Sequence, residues 1–250
     1  MRVPYIRSLF AVSYVIVFVH CTKAQQGTTQ LWLDGTVGQT FASYYKGELE
    51  LGYRSVVSGG SAWKSLRAIP RISTAPTAHW TFMASGYVVS TDQEEDVHSL
   101  ELRGQLGARY NFTPFKRMQT RLNVRYEFRN ISTEGDPQQS QRLRIRAEAV
   151  LPLDTRNYRS DTMWYALGDV EAFSTLDHDP DERFSDRLRA RLGLGRKFSY
   201  NMYVEAIYNW QRSHNNVEDD DLSTDQIIRL RFKYYFSPRV RKLPADVTSP

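Results

Sequence analysis

The sequence predicts an all-β protein: a closed, antiparallel, up-and-down transmembrane β-barrel of ten to twelve strands, with twelve preferred. Three observations predict it. Segment after segment alternates polar and apolar residues with a period of two, which puts each set on one side of a sheet. Most of these segments run to ten or twelve residues. That is longer than the ~5–6 usual in soluble sheets and close to the ~9–11 that cross a bilayer at a tilt. The chain also opens on what reads as an export signal and holds a single cysteine, so an exported domain here must be stabilised by a core or a closed sheet rather than by disulfides.

The first element is the leader. Arg2 and Arg7 precede an apolar stretch from Leu9 to Val19, broken only by Ser13, and Thr22 and Ala24 stand three and one residues before a cleavage point at Gln25. This is the plan of a cleaved signal peptide over residues 1–24, and the stretch is well short of the ~20 residues a spanning helix needs. Cleavage would remove Cys21 and three bases (Arg2, Arg7, Lys23), so the formal charge of +5 falls to +2. The headline basicity therefore gives no support to a nucleic-acid partner. The mean hydropathy of −0.53 excludes a bundle of membrane helices but not a barrel, half of whose strand residues are polar.

Eleven candidate strands follow: Gln30–Phe41, Lys46–Ser55, Trp63–Ile72, Trp80–Val89, Ser99–Tyr110, Arg121–Arg129, Arg142–Ala149, Thr162–Phe173, Arg187–Leu192, Tyr200–Gln211 and Arg229–Phe236. Single-chain bacterial barrels are even-numbered, so one strand near the N-terminus is expected to be missed or split. Turn chemistry separates the segments at Ser58-Gly59-Gly60, Glu134-Gly135-Asp136-Pro137, Asp177-His178-Asp179-Pro180 and Asn215 to Asp225. The stretches Ile131–Ser140 and His214–Asp225 read as long outer loops, Lys197–Tyr200 as a tight inner turn. The barrel domain is expected over residues 25–236, followed by a flexible periplasmic tail at 237–250 containing Pro238, Arg239, Arg241, Lys242 and Pro244.

Periodicity alone does not say which face is inside. A soluble sandwich would wet its polar faces, whereas a barrel in lipid turns them inward. The polar faces carry Arg rather than Lys (26 against 7 in the chain), and Arg is the better partner where water is scarce and pairing is bidentate. Aromatic residues including Trp32, Tyr44, Tyr45, Trp63, Trp80, Tyr110, Phe112, Trp164, Phe173, Phe198, Tyr200, Trp210 and Tyr235 fall near strand ends, as interfacial girdles require. The final strand, Leu230-x-Phe232-x-Tyr234-x-Phe236, alternates and closes on Phe like an outer-membrane assembly signal.

Trp32, Glu50 with Arg54, Gly86-Tyr87, Glu101-x-Arg103, Arg142-Leu143-Arg144-x-Arg146-x-Glu148 followed by Pro152, and Glu171-x-Phe173 occur in one order along the chain. In that order they resemble the bacterial outer-membrane barrel family known as domain of unknown function 2490. The resemblance spans about Gln30 to Phe236 and implies a barrel; it brings no assigned activity. It places the chain in the outer membrane of a Gram-negative bacterium. Its expected partners are membrane lipid, lipopolysaccharide and, during biogenesis, the barrel-assembly machinery.

The chemistry on offer is a basic ladder. Arg103, Arg109, Arg121, Arg125, Arg142, Arg144, Arg146, Arg187, Arg189, Arg191, Arg229 and Arg231 are the candidate lumen-lining, anion-binding residues, with Arg54, Arg129, Lys197 and Lys233 on the same faces. Glu101, Glu127, Glu148, Glu171 and Glu205, with Glu48, Glu50 and Asp169, are the acids there, so bases lead sixteen to eight. Two functions follow: a narrow anion-preferring channel or binding lumen for small anionic solutes, or a structural barrel sealed by Arg–Glu pairs. An outer-membrane lipid-modifying enzyme is the lesser alternative. His98-Ser99 is the only His-then-Ser dipeptide outside the leader; adjacent strand residues point to opposite faces, so no catalytic residue and no enzyme is expected. The acidic runs at Asp177–Glu182 and Glu218–Asp221 lack calcium-loop spacing, and no dinucleotide, phosphate-loop or zinc pattern occurs. No metal and no cofactor is expected.

Overall fold

A computed structural model describes residues 27–41, 44–60, 62–93, 97–114, 117–133, 135–155, 160–177, 187–214 and 222–236. The expected leader and tail lie outside the described residues, as do the acidic runs at 178–182 and 218–221. The described residues form strands only: β1 (Thr29–Phe41), β2 (Tyr45–Ser58), β3 (Trp63–Thr74), β4 (Trp80–Gln93), β5 (His98–Asn111), β6 (Gln119–Thr133), β7 (Asp136–Pro152), β8 (Met163–Thr175), β9 (Arg187–Lys197), β10 (Met202–His214) and β11 (Leu222–Tyr235). Each pairs with its sequence neighbours, and β1 closes on β11 into a barrel.

The preferred count of twelve is corrected to eleven described strands. The candidate segments were complete, and the even-number rule was the wrong guide. Every strand already has two hydrogen-bonded neighbours, so no edge remains for a twelfth. An odd meander brings its first and last strands together pointing the same way. Accordingly β1 pairs β11 in parallel, Trp32 beside Arg229 and Asp34 beside Arg231, so the sheet is not antiparallel throughout. Odd closure also sends the two ends of the barrel domain to opposite rims. β1 starts at one rim, the N-terminal rim, and β11 finishes at the other, the C-terminal rim.

A second correction concerns the expected loop at Ile131–Ser140. Thr133 pairs with Asp136, so only Glu134 and Gly135 lie between β6 and β7. Gly135 has φ +92°, a conformation a two-residue hairpin needs and glycine supplies without strain. Strand alternation continues through the polar residues on both sides of it.

The outer surface is apolar. Leu51, Leu66, Leu106, Val170, Leu192 and Ile228 are among many large side chains more than half exposed, the pattern a hydrocarbon environment requires. Aromatic residues gather outside the C-terminal rim: Phe41, Tyr45, Trp80, Phe112, Trp164, Phe198 and Phe236 are all exposed. Trp80 stacks on Phe82 at 5.8 Å and meets Tyr110 edge-on at 4.9 Å. The Arg196 guanidinium lies 5.1 Å from the Trp164 ring and 3.4 Å from Asp154.

Candidate functional site: the lumen

Along every strand the residues that alternate with this greasy exterior face inward, and together they enclose a cavity of about 290 Å³. Sixteen basic side chains line it, including Arg103, Arg109, Arg121, Arg125, Arg142, Arg144, Arg146, Arg189, Arg191, Arg229 and Arg231. Five acids line it as well: Glu48, Glu50, Glu148, Asp169 and Glu205. Asp34, Glu127 and Glu171 are buried among the bases, and Glu101 pairs with Arg103 and Arg129. Arg187 opens β9; its side chain lies outside the described residues.

The half nearer the N-terminal rim is a paired network. Glu127 accepts from Gln105 at 3.0 Å, from Arg142 at 2.7 Å and from Arg144 at 2.7 Å. Arg144 reaches across to Glu171 at 2.8 Å, which Arg189 also contacts at 3.4 Å. Asp34 holds Arg67 at 2.6 Å and pairs with Arg229, and Glu50 bonds Arg67 at 2.6 Å. Gly52, the cross-strand partner of Asp34, makes room for this: a Cβ there would lie 2.4 Å from Asp34 Oδ1 and 2.5 Å from Arg67 Nε. Such pairs hold only because several donors share each carboxylate, which offsets the desolvation of both partners.

Trp32, Phe173 and Tyr235, expected in the interfacial girdle, are instead buried inside the barrel. Strand parity decides this, since each shares a face with charged residues: Trp32 with Asp34, Phe173 with Glu171, Tyr235 with Lys233. Arg54 lies 3.8 Å from the Trp32 ring, with Arg189, Arg229 and Arg67 at 5.5–6.0 Å. Arg144 lies 4.5 Å from Phe173. A ring face attracts a guanidinium and supplies it a weak partner where no carboxylate reaches.

Nearer the C-terminal rim the lining differs. Val150, Met163 and Tyr165 pack together with Leu167 and Tyr203, and Tyr203 meets Tyr235 edge-on at 5.8 Å. The Tyr165 hydroxyl donates to Glu205 at 2.7 Å, and that carboxylate also accepts Lys233 at 2.8 Å. Lys197 donates to the Ser160 carbonyl at 2.6 Å. Gly195 lets the Tyr165 ring lie across β9; a Cβ there would sit 2.2 Å from Tyr165 Cζ.

The sequence matches the family described as "Protein of unknown function (DUF2490)" over residues 29–222. The chain belongs to that family. The match runs from the start of β1 to the start of β11, and so takes in the lumen arginines except Arg229 and Arg231. No curated protein matches the chain. Among solved structures, the DUF2490 barrel is similar to LpxR from Salmonella typhimurium, with a TM-score of 0.50, 8% identity, and coverage of 80% of this chain and 87% of that one. It is also similar to the translocator domain of autotransporter NalP from Neisseria meningitidis, with a TM-score of 0.43, 14% identity, and coverage of 82% and 89%. The fold is therefore that of the outer-membrane β-barrels.

Four charged residues of the lumen escaped the sequence reading: Asp34, Lys46, Arg67 and Arg71. Their signal was parity. Arg67 and Arg71 alternate with Leu66, Ala68 and Ile72 just as the recognised arginines alternate with their neighbours. At the hairpin of β4 and β5, His98 Nδ1 lies 2.8 Å from Asp92 in an exposed position. Ser99 sits opposite Thr91, one step along the strand on the other face. The described residues contain no cluster of three or more metal-ligand side chains.

Proposed function

We propose that this barrel sits in the outer membrane of a Gram-negative bacterium and takes a small anion into its lumen, as a binding chamber with restricted passage rather than an open pore. One observation carries the reading: sixteen basic side chains against five acids around a cavity of about 290 Å³. Adding Asp34, Glu101, Glu127 and Glu171 brings the acids only to nine. Rings of Arg select anions, and buried cations without carboxylates need a counter-charge. The apolar and tyrosine layer of Val150, Met163, Tyr165, Tyr203 and Tyr235 supports restriction over free flow.

A second reading, a purely structural barrel, is favoured by the Glu127 hub, where one carboxylate ties β5, β6 and β7 together. Thermal unfolding of detergent-refolded protein at fixed ionic strength separates the two. With an anion-binding lumen, phosphate or sulfate raises the melting temperature over chloride; a site filled to 100 times Kd contributes about 2.7 kcal/mol. A melting temperature indifferent to the anion leaves the structural reading. The membrane assignment has its own check. Epitope tags placed just before Thr29 and just after Phe236 should label on opposite faces of intact cells, and tags on one face would overturn the odd-strand topology.

A further inference from the structure

We infer that the anion is held on one wall of the lumen, by Arg109, Arg125 and Arg146 on β5, β6 and β7, and that it is a small soluble phosphate-bearing solute. The inference rests on the proposed anion-binding lumen and gives it a place and a chemistry. Elsewhere in the lumen most bases reach a carboxylate; the exception is Arg54, which lies over the Trp32 ring and whose Nε, like Arg67 Nε, Arg191 Nη2 and Arg231 Nε, has no hydrogen-bond acceptor. Arg67 and Arg229 share Asp34 and Glu50, Arg103 and Arg129 share Glu101, and Arg231 and Lys233 share Glu205.

On this wall the matching fails. Arg109 donates its Nε to a neutral partner, Asn123, at 2.7 Å. Arg125 is 3.8 Å from Glu127, whose oxygens already accept Gln105, Arg142 and Arg144. Arg146 is 3.9 Å from Glu148, which Arg121 holds at 2.9 Å. The register makes the crowding unavoidable. Arg125 faces Arg144 directly across β6 and β7, and in the adjoining inward row Arg109, Asn123 and Arg146 are cross-strand partners. Like charges directly opposite are destabilising. Three buried donors of the same patch, Asn123 Nδ2, Arg144 Nε and Arg146 Nε, have no hydrogen-bond acceptor within the protein. A guest that neutralises several guanidinium groups and accepts from several N–H donors at once relieves both defects.

A phosphate group is that guest. It carries up to two charges on oxygens spaced for the guanidinium fork, whereas chloride offers one charge and no directional lone pairs. The cavity's 290 Å³ lies at the bottom of the ~300–1,000 Å³ range of small-molecule sites, so it fits phosphate, pyrophosphate or a small phosphoester, not a lipid with its chains.

The test uses the full barrel in detergent, with inorganic pyrophosphate as the probe at constant ionic strength. It compares wild type, Arg125→Gln/Arg146→Gln, and Arg196→Gln, which removes one charge from the outer wall. Without ligand, the double variant should melt at or above the wild-type temperature, because it loses charges the protein does not compensate. Wild type and Arg196→Gln should be stabilised by pyrophosphate with equal half-saturation, and the double variant should need about tenfold more or worse, given ~1.5–3 kcal/mol per charged hydrogen bond. If the double variant responds like wild type, the lumen reading stands and the placement on this wall is overturned. If wild type does not respond to pyrophosphate, sulfate or phosphate, the lumen reading itself fails. A response to micelles of a phosphorylated lipid but not to pyrophosphate overturns the soluble-solute assignment.

Discussion

The wall made by β11, β1, β2 and β3 and the wall made by β5, β6 and β7 are built from the same alternation, yet their charges meet differently. On the first, Asp34 and Glu50 sit between Arg67 and Arg229, and Gly52 opens the space in which they meet. On the second, Glu127 satisfies the end near the N-terminal rim, and further in Arg125 faces Arg144 while Arg109 finds only Asn123. Period sets which face a residue occupies. Register sets whether its charge is answered. The first wall answers most of its charges, Arg54 over the Trp32 ring excepted; the second leaves Arg109, Arg125 and Arg146 together without a carboxylate hydrogen bond, and that makes it the candidate site.

The contrast can be broken in graded steps. Asp34→Asn should have the largest effect, since it leaves Arg67 and Arg229 to share Glu50 alone; loss of one partner of a buried pair costs about 3–5 kcal/mol, read from urea unfolding in detergent micelles or vesicles. Leu192→Arg should come next. Leu192 is 70% exposed at the centre of β9, and an arginine facing lipid near the midplane costs about 2–4 kcal/mol; an unchanged transition midpoint would mean that this face does not meet acyl chains. Gly52→Ala should be milder, about 1–3 kcal/mol from overpacking against the Asp34–Arg67 pair. Arg125→Gln should be the smallest and of opposite sign, leaving stability unchanged or slightly raised in anion-free buffer. A loss of several kcal/mol there would mean Arg125 has a partner that answers its charge, erasing the difference between the walls.

Much of this could be read from residues alone. Arg142, Arg144 and Arg146 alternating with Leu143, Ile145 and Ala147 define an inner and an outer face because the strand repeat is two residues. The same logic would have placed Trp32 and Phe173 inside, had parity been given more weight than their nearness to strand ends. The loop expected at Ile131–Ser140 was misplaced because its polar residues, Gln138 and Ser140 among them, belong to a lumen face that is itself polar. Composition marks a loop only when the sheet around it is apolar on the face in question.

Strand number was the boundary between the two kinds of knowledge. The eleven segments and their inward faces were set by local alternation, which depends on backbone geometry within one strand. That eleven would close, with β1 and β11 running parallel, depended on how far the sheet had curled when its ends met. Likewise, the sequence determined an excess of arginine inside. Only the tertiary structure decided that Asp34 meets Arg229, because β1 and β11 stand at opposite ends of the chain and are joined by closure of the whole sheet; Arg125 meets Arg144 through the tight turn between Thr133 and Asp136, whose register composition alone did not reveal.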